Sequence, residues 1–192
     1  MEQGSLDVRH FAVQQLSLRH ENVGWTGRKR DWVDDLLWHH GGHVIDLGLW
    51  FLDATDVDVL GVVGPAWRGN GRYMDVSAAL VAPDGDLASF ALSYHSRASG
   101  GSMVVIGEDE TYTVRDGALV CNGETLTGSG GYDAMMAAAW AAQEGEFLDS
   151  IREGRMPSFD LGHALTAMRA VAKIAGARVP PVAEPGPGPS DA

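Results

Sequence analysis

Between Val57 and Thr125 the chain breaks into short segments, VDVLGVV, MDVSAALVA, LASFALSYH, SMVVIG, TYTVRD and ALVCN. Gly69-Asn70-Gly71, Pro83-Asp84-Gly85 and Asp116-Gly117 supply tight-turn chemistry among them, so the segments are expected to double back as antiparallel strands. Within LASFALSYH, Phe90, Leu92 and Tyr94 alternate with Ser89, Ala91, Ser93 and His95. A side-chain period of two puts the large apolar groups on one face and the small or polar ones on the other. Such a sheet needs helices over its apolar face and leaves the opposite face open.

The rest of the chain provides those helices. Residues 6 to 18 read as a further strand, and 21 to 30 as a loop. Residues 31 to 53, 133 to 153 and 161 to 175 read as helices. The first is weakened at Gly41-Gly42 and is expected to be capped by Asp31 or Asp34. Met136, Trp140, Phe147 and Ile151 in the second helix, and Leu165, Met168 and Ile174 in the third, recur near a 3.6 period and are assigned to the core. The expected fold class is α+β, a mostly antiparallel open β-sheet with helices packed on one face. A chain of 192 residues suits one domain, placed at 1–177, with the Pro/Gly-rich 178–192 expected to be a disordered tail.

A net charge of -12 repels phosphate backbones and anionic lipid, so neither nucleic acid nor a membrane is an expected partner. Cys121 is the only cysteine, which excludes an intrachain disulfide and a cysteine-based zinc site. MEQGSLDVRHF lacks the cationic and apolar regions of a secretory signal, and no apolar run approaches the roughly 20 residues of a spanning helix. The expected location is the cytoplasm.

Chemistry concentrates in WHHGGHVIDLGLW, residues 38 to 50. On an α-helix His39, His43 and Asp46 share a face. His40 lies on an adjacent stripe that also passes through His43, so His43 is expected to be buried at a cleft. An imidazole exchanges protons near neutrality, and Asp46 one turn below could orient His43. The catalytic candidates are therefore His43, His39, His40 and Asp46. The competing explanation is a set of core histidines satisfied by backbone carbonyls. A metal pair at i, i+4 lacks an evident third ligand, so no metal is assigned. Arg19, Arg28 and Arg30 flank the helix and suit a carboxylate or enolate oxygen. With His20, Trp38 and His95 they complete the substrate-binding candidates.

The His43-x-x-Asp46 helix, the run of strands and the closing Gln143-x-x-Glu146-Phe147-x-x-x-Ile151-Arg152-Glu153-Gly154-Arg155-x-Pro157 resemble the C-terminal domain of the Gfo/Idh/MocA oxidoreductase family. Trp32-x-x-x-Leu36-Leu37-Trp38-His39-His40 is similar to the 4-carboxy-2-hydroxymuconate semialdehyde dehydrogenase branch. The resemblance covers residues 6 to 177. It implies that His43 touches a substrate hydroxyl or carbonyl, with His39 as its partner. It also implies a Rossmann domain holding NAD(P) and a catalytic lysine, and these residues contain neither. GNGRYM (69–74) and GSGGYD (128–133) lack the third glycine of a dinucleotide fingerprint, and neither Lys29 nor Lys173 stands in a Glu-Lys-Pro context.

Hydride transfer by this chain alone is thus not expected. The primary expectation is a cofactor-independent enzyme, an isomerase, cyclase, dehydratase or other lyase, working on an oxygenated, carbonyl-containing metabolite by histidine acid–base chemistry. One alternative is the substrate-binding half of an NAD(P)-dependent oxidoreductase completed by a separate nucleotide-binding Rossmann chain. Another is a non-catalytic oligomerising or ligand-binding module. Under all three a homo-oligomer through the open sheet face is expected, since an exposed apolar face needs cover.

Overall fold

The computed structural model describes residues 6–24, 26–115, 117–127 and 131–177. The elements run β1 (Val8–Leu18), β2 (Asn22–Val23), β3 (Lys29–Arg30), a π turn over Leu37–Gly41, α1 (Gly42–Phe51), β4 (Asp58–Val63), β5 (Asp75–Val81), β6 (Leu87–Ser93), β7 (His95–Gly107), β8 (Thr111–Arg115), β9 (Ala118–Cys121), β10 (Glu124–Thr127), α2 (Gly131–Glu153) and α3 (Leu161–Gly176). Eight strands form one open sheet in the order β10-β9-β8-β7-β1-β6-β5-β4, and β2 and β3 make a separate hairpin. The α+β class holds, and the expected tail at 178–192 lies outside the described residues.

The sheet departs from simple doubling back at one place. β6 and β7 are consecutive but do not pair with each other; β1 lies between them, parallel to β6 and antiparallel to β7. The chain therefore crosses the end of β1 at Tyr94, where Arg19 N–H donates to the Tyr94 carbonyl at 2.9 Å and Tyr94 N–H to the Met74 carbonyl at 2.9 Å. No Gly or Pro turn marks that crossing in LSYHSR, because the chain steps over a strand rather than reversing beside itself. Asn122 and Gly123, with φ of 48° and 91°, make the tight turn between β9 and β10.

Alternation places the core as expected. Ala88, Phe90, Leu92 and Tyr94 are buried, as are Val76, Ala78 and Leu80 of β5. Over them lies α1, at closest approach where it has no side chain. A Cβ on Gly48 would stand 2.7 Å from Phe90 Cζ and 3.3 Å from both Ala88 Cβ and Phe11 Cδ1. α3 packs beside α1 and over β4, burying Ala167, Ala170, Val171 and Ile174. Asp160 caps α3 through Gly162 N–H and His163 N–H.

Two helix expectations need correction. The first helix starts at Leu36, running straight into the π turn, rather than at residue 31, and the acidic side chain at its start is Asp35, whose Oδ1 accepts from Trp38 N–H at 3.2 Å. Neither Asp31 nor Asp34 serves. The apolar stripe of α2 is also not core: Trp140, Phe147 and Ile151 are 56–62 % exposed. In α3, Leu165 and Met168 are exposed as well, leaving Ile174 as the stripe member that is buried. α1 packs on β1 and β6 and α3 on β4, while among the described residues no strand packs comparably against α2.

The Gly48 contact sets a testable limit. Gly48→Val is expected to destabilise the fold by about 1–3 kcal/mol through overpacking. Gly42→Ala, at a position with open space around the added Cβ, is expected to stabilise it by up to about 1 kcal/mol. Urea denaturation of the two variants separates steric from propensity effects.

Candidate functional site

Three chain segments converge beside the crossing at Tyr94. The end of β1 delivers Arg19 and His20, the crossing itself delivers Tyr94 and His95, and the π turn delivers His39 and His40. The π turn arises at the two glycines. Gly42 N–H reaches back to the Leu37 carbonyl, an i→i+5 bond, while Gly41 sits tightly enough that a Cβ would meet Leu37 Cδ1 at 2.9 Å. One extra residue in the turn rotates everything after it by the roughly 100° that a residue occupies in an α-helix.

Tyr94 is 1 % exposed, and its hydroxyl lies 2.7 Å from His39 Nδ1 and 2.9 Å from His40 Nδ1. The two imidazoles stack on each other at 4.3 Å and 16°. A phenol has one proton, so it donates to one ring and accepts from the other. When both rings are neutral they must therefore be opposite tautomers. Burial chiefly, and then the fields of His39, Arg19 and His43, hold His40 down to about 4. Burial also lowers His39, assisted by Arg19 and His43 and opposed by Asp34. Burial first, with a smaller push from Asp35 and against the pull of Arg19, raises Tyr94 to about 12. At neutral pH the phenol keeps its proton and His40 stays uncharged.

Arg19 spans this cluster. Its guanidinium carbon is 5.8 Å from the ring centres of Trp32 and Tyr94, and Nη2 donates to Asn22 Oδ1 at 3.1 Å. His20 stacks on Trp67 at 4.1 Å, and its Nε2 meets His95 Nδ1 at 2.8 Å. Beside these groups opens a hollow of about 970 Å³ whose lining includes Gln15, Arg19, His20, His40, Ser99 and Gly100.

The structure thus brings together His39, His40, Arg19, His20 and His95, and leaves out the remaining sequence candidates. His43, expected to be buried, is exposed, because the π turn rotates it off the face held by His39. Asp46 faces α2 and lines another hollow of about 850 Å³ with Gln143, Phe147 and Phe159. Arg28 and Arg30 are exposed on the β2–β3 hairpin. Trp38 stays 38 % exposed, outside the lining of the larger hollow. Tyr94 escaped the sequence reading, which took it as one more apolar position. Its only signal there was a polar tip among residues due for burial, which demands a partner. Among the described residues no group of three or more His, Cys, Asp or Glu is placed to hold a metal ion, and no helix is long and apolar enough to cross a membrane.

The family described as bacterial oxidoreductases, C-terminal, matches residues 1–127. The chain belongs to that family. A curated relative, the 4-carboxy-2-hydroxymuconate-6-semialdehyde dehydrogenase of Sphingobium sp. (strain NBRC 103272 / SYK-6), is 29% identical over 172 residues, covering 89% of this chain and 54% of the relative. The chain spans about half the length of that protein. Among solved structures, the UDP-N-acetylglucosamine 3-dehydrogenase GnnA from Acidithiobacillus ferrooxidans superposes with a TM-score of 0.70 at 19% identity, over 91% of this chain and 55% of that one. The WlbA dehydrogenase from Bordetella pertussis, in complex with NADH and UDP-GlcNAcA, gives 0.69 at 17% identity, over 91% and 56%. The fold is that of the C-terminal domain of Gfo/Idh/MocA oxidoreductases, as the resemblance implied. These relatives overturn the cofactor-independent expectation: they are dehydrogenases, not isomerases, cyclases, dehydratases or lyases.

The depressed His40 has a measurable consequence. Below pH 6.5 an unfolded histidine binds a proton that folded His40 refuses until about pH 4. Stability is therefore expected to fall as pH drops from 6.5 to 4. The fall should be shallower in His40→Asn, by urea denaturation at stepped pH.

Proposed function

We propose that this chain is the substrate-binding half of a nicotinamide-dependent oxidoreductase acting on a small oxygenated metabolite that bears a carboxylate. The observation that carries the reading is the pair of neutral imidazoles sharing the Tyr94 hydroxyl, one of which, His40, lines a hollow that also holds Arg19. With opposite tautomers, one ring carries Nε2–H and the other a bare Nε2. A donor beside an acceptor suits a substrate carbon passing between hydroxyl and carbonyl, since one ring takes the hydroxyl proton while the other steadies the oxygen. A proton taken at one ring can be passed through Tyr94 to the other, so the positive charge is not confined to one buried site. Arg19, always charged, supplies the hold on a carboxylate.

These residues do not fit a nucleotide. At the helix start beside the site Trp38 N–H is already taken by the Asp35 carboxylate and Leu36 N–H by the Tyr73 carbonyl, and GSGGYD (128–133), between β10 and α2, lacks the third glycine of a dinucleotide fingerprint. The redox group must be held by other residues, on a nucleotide-binding half, and the apolar side of α2 with Trp140, Phe147 and Ile151 supports a docking surface for it.

The reading is tested by joining this chain to the part of the Sphingobium relative that it does not span. Reduction of NAD(P) would then be followed with 4-carboxy-2-hydroxymuconate-6-semialdehyde as substrate. His39→Ala and Tyr94→Phe are each expected to lower kcat/KM by about 10²-fold. A folded chimera with no turnover, or with turnover that neither change affects, ends the proposal. Homo-oligomerisation through the open sheet face is proposed as well. Leu60 and Val62, 63% and 42% exposed, adjoin the small Ser77, Ala79, Ser89 and Ala91 there. Leu60→Lys with Val62→Lys is expected to shift sedimentation from oligomer to monomer.

A further inference from the structure

Asp75, His95 and His20 form a second polar chain that the histidine cluster around Tyr94 does not use. Asp75 begins on the open sheet face, at the start of β5, with Oδ2 3.5 Å from His95 Nε2. Ser93 fixes the pair: its hydroxyl donates to Asp75 Oδ1 at 2.6 Å and accepts from His95 N–H at 3.1 Å. His95 Nδ1 then meets His20 Nε2 at 2.8 Å, and the Trp67 ring stacked at 4.1 Å holds the His20 imidazole in plane. His20 ends the chain in the wall of the same hollow as Arg19 and His40. The run therefore passes from one face of the sheet to the substrate side through the gap beside the crossing at Tyr94.

The negative charge of the Asp75 carboxylate, 3.5 Å from Nε2, favours the His95 tautomer with hydrogen on Nε2. His95 Nδ1 is then an acceptor, which obliges His20 to donate from Nε2. A neutral His20 that donates from Nε2 carries a bare lone pair on Nδ1, and that nitrogen makes no hydrogen bond to a described residue. We infer that Asp75 and His95 are positioning residues that lock His20 as a hydrogen-bond acceptor in the hollow. The site thereby selects a substrate with a second hydroxyl beside the oxygen handled at Tyr94. The substrate half of this inference rests on the reading of the hollow given above; the tautomer half does not.

The test has two arms. Long-range ¹⁵N–¹H spectra of the histidine rings in the full chain, at a pH where the rings are neutral, read the tautomers without any substrate. Both His20 and His95 are expected in the Nε2–H form, retained in Asp75→Asn, whose amide oxygen still accepts, and lost to a mixture in Asp75→Ala. His95 in the Nδ1–H form, or rings indifferent to Asp75→Ala, overturns the chain even if the variant itself folds poorly, since the wild-type spectrum alone decides the first point. In the chimera, Asp75→Ala is expected to raise KM for the hydroxylated semialdehyde about tenfold with kcat kept, and Asp75→Asn to restore it. An active chimera with unchanged KM overturns the specificity role. An inactive chimera whose ring spectra still show both Nε2–H forms overturns the substrate claim and leaves the tautomer lock standing.

Discussion

One buried hydroxyl organises this protein. Tyr94 lies at the point where the chain steps over the end of β1, and its oxygen is cut off from water. A phenol buried without partners would cost free energy on the order of 1–3 kcal/mol. Here the partners are two imidazoles 55 and 54 residues away in the chain. Those two bonds tie the π turn to the crossing strand and hold both rings half-buried beside Arg19, where burial first and the neighbouring charges next keep His40 uncharged. The geometry that satisfies the phenol is the same geometry that gives the rings their chemistry.

The crossing has a second consequence. Because β1 is inserted between β6 and β7, the residues just beyond its end meet the residues at the junction of the other two. Arg19 and His20 therefore stand beside Tyr94 and His95, with Tyr94 directed to the helix-covered face and Asp75 reached on the open one. A simple meander would have placed these four residues on separate edges. The polar groups gather where the sheet order and the sequence order disagree, the kind of place where open sheets tend to carry binding sites.

Comparison with dehydrogenases removes the cofactor-independent expectation but leaves the local chemistry untouched. Neutral, hydrogen-bonded imidazoles can serve a proton transfer in either setting. The family membership, together with a chain spanning about half of the Sphingobium dehydrogenase, favours a redox partner domain over a self-contained lyase. The bare apolar stripe on α2 agrees, since a helix that is apolar on a solvent-facing side wants cover.

Local pattern was enough for the sheet faces, the three helices and the histidine-bearing segment, because alternation and 3.6-residue periodicity are properties of neighbours along the chain. It named Arg19, His20, His39, His40 and His95, which the structure brings to one place. It expected His43 to be buried at a cleft, where the structure leaves it exposed, since an α-helical wheel assumes a turn that is widened at Gly41 and Gly42. It passed over Tyr94 and Asp75, whose partners are distant in sequence. Composition and order along the chain determined which groups were present and which faces were greasy. Which rings share one proton was decided only when β1 came to lie between two strands and brought remote polar groups together around a buried phenol.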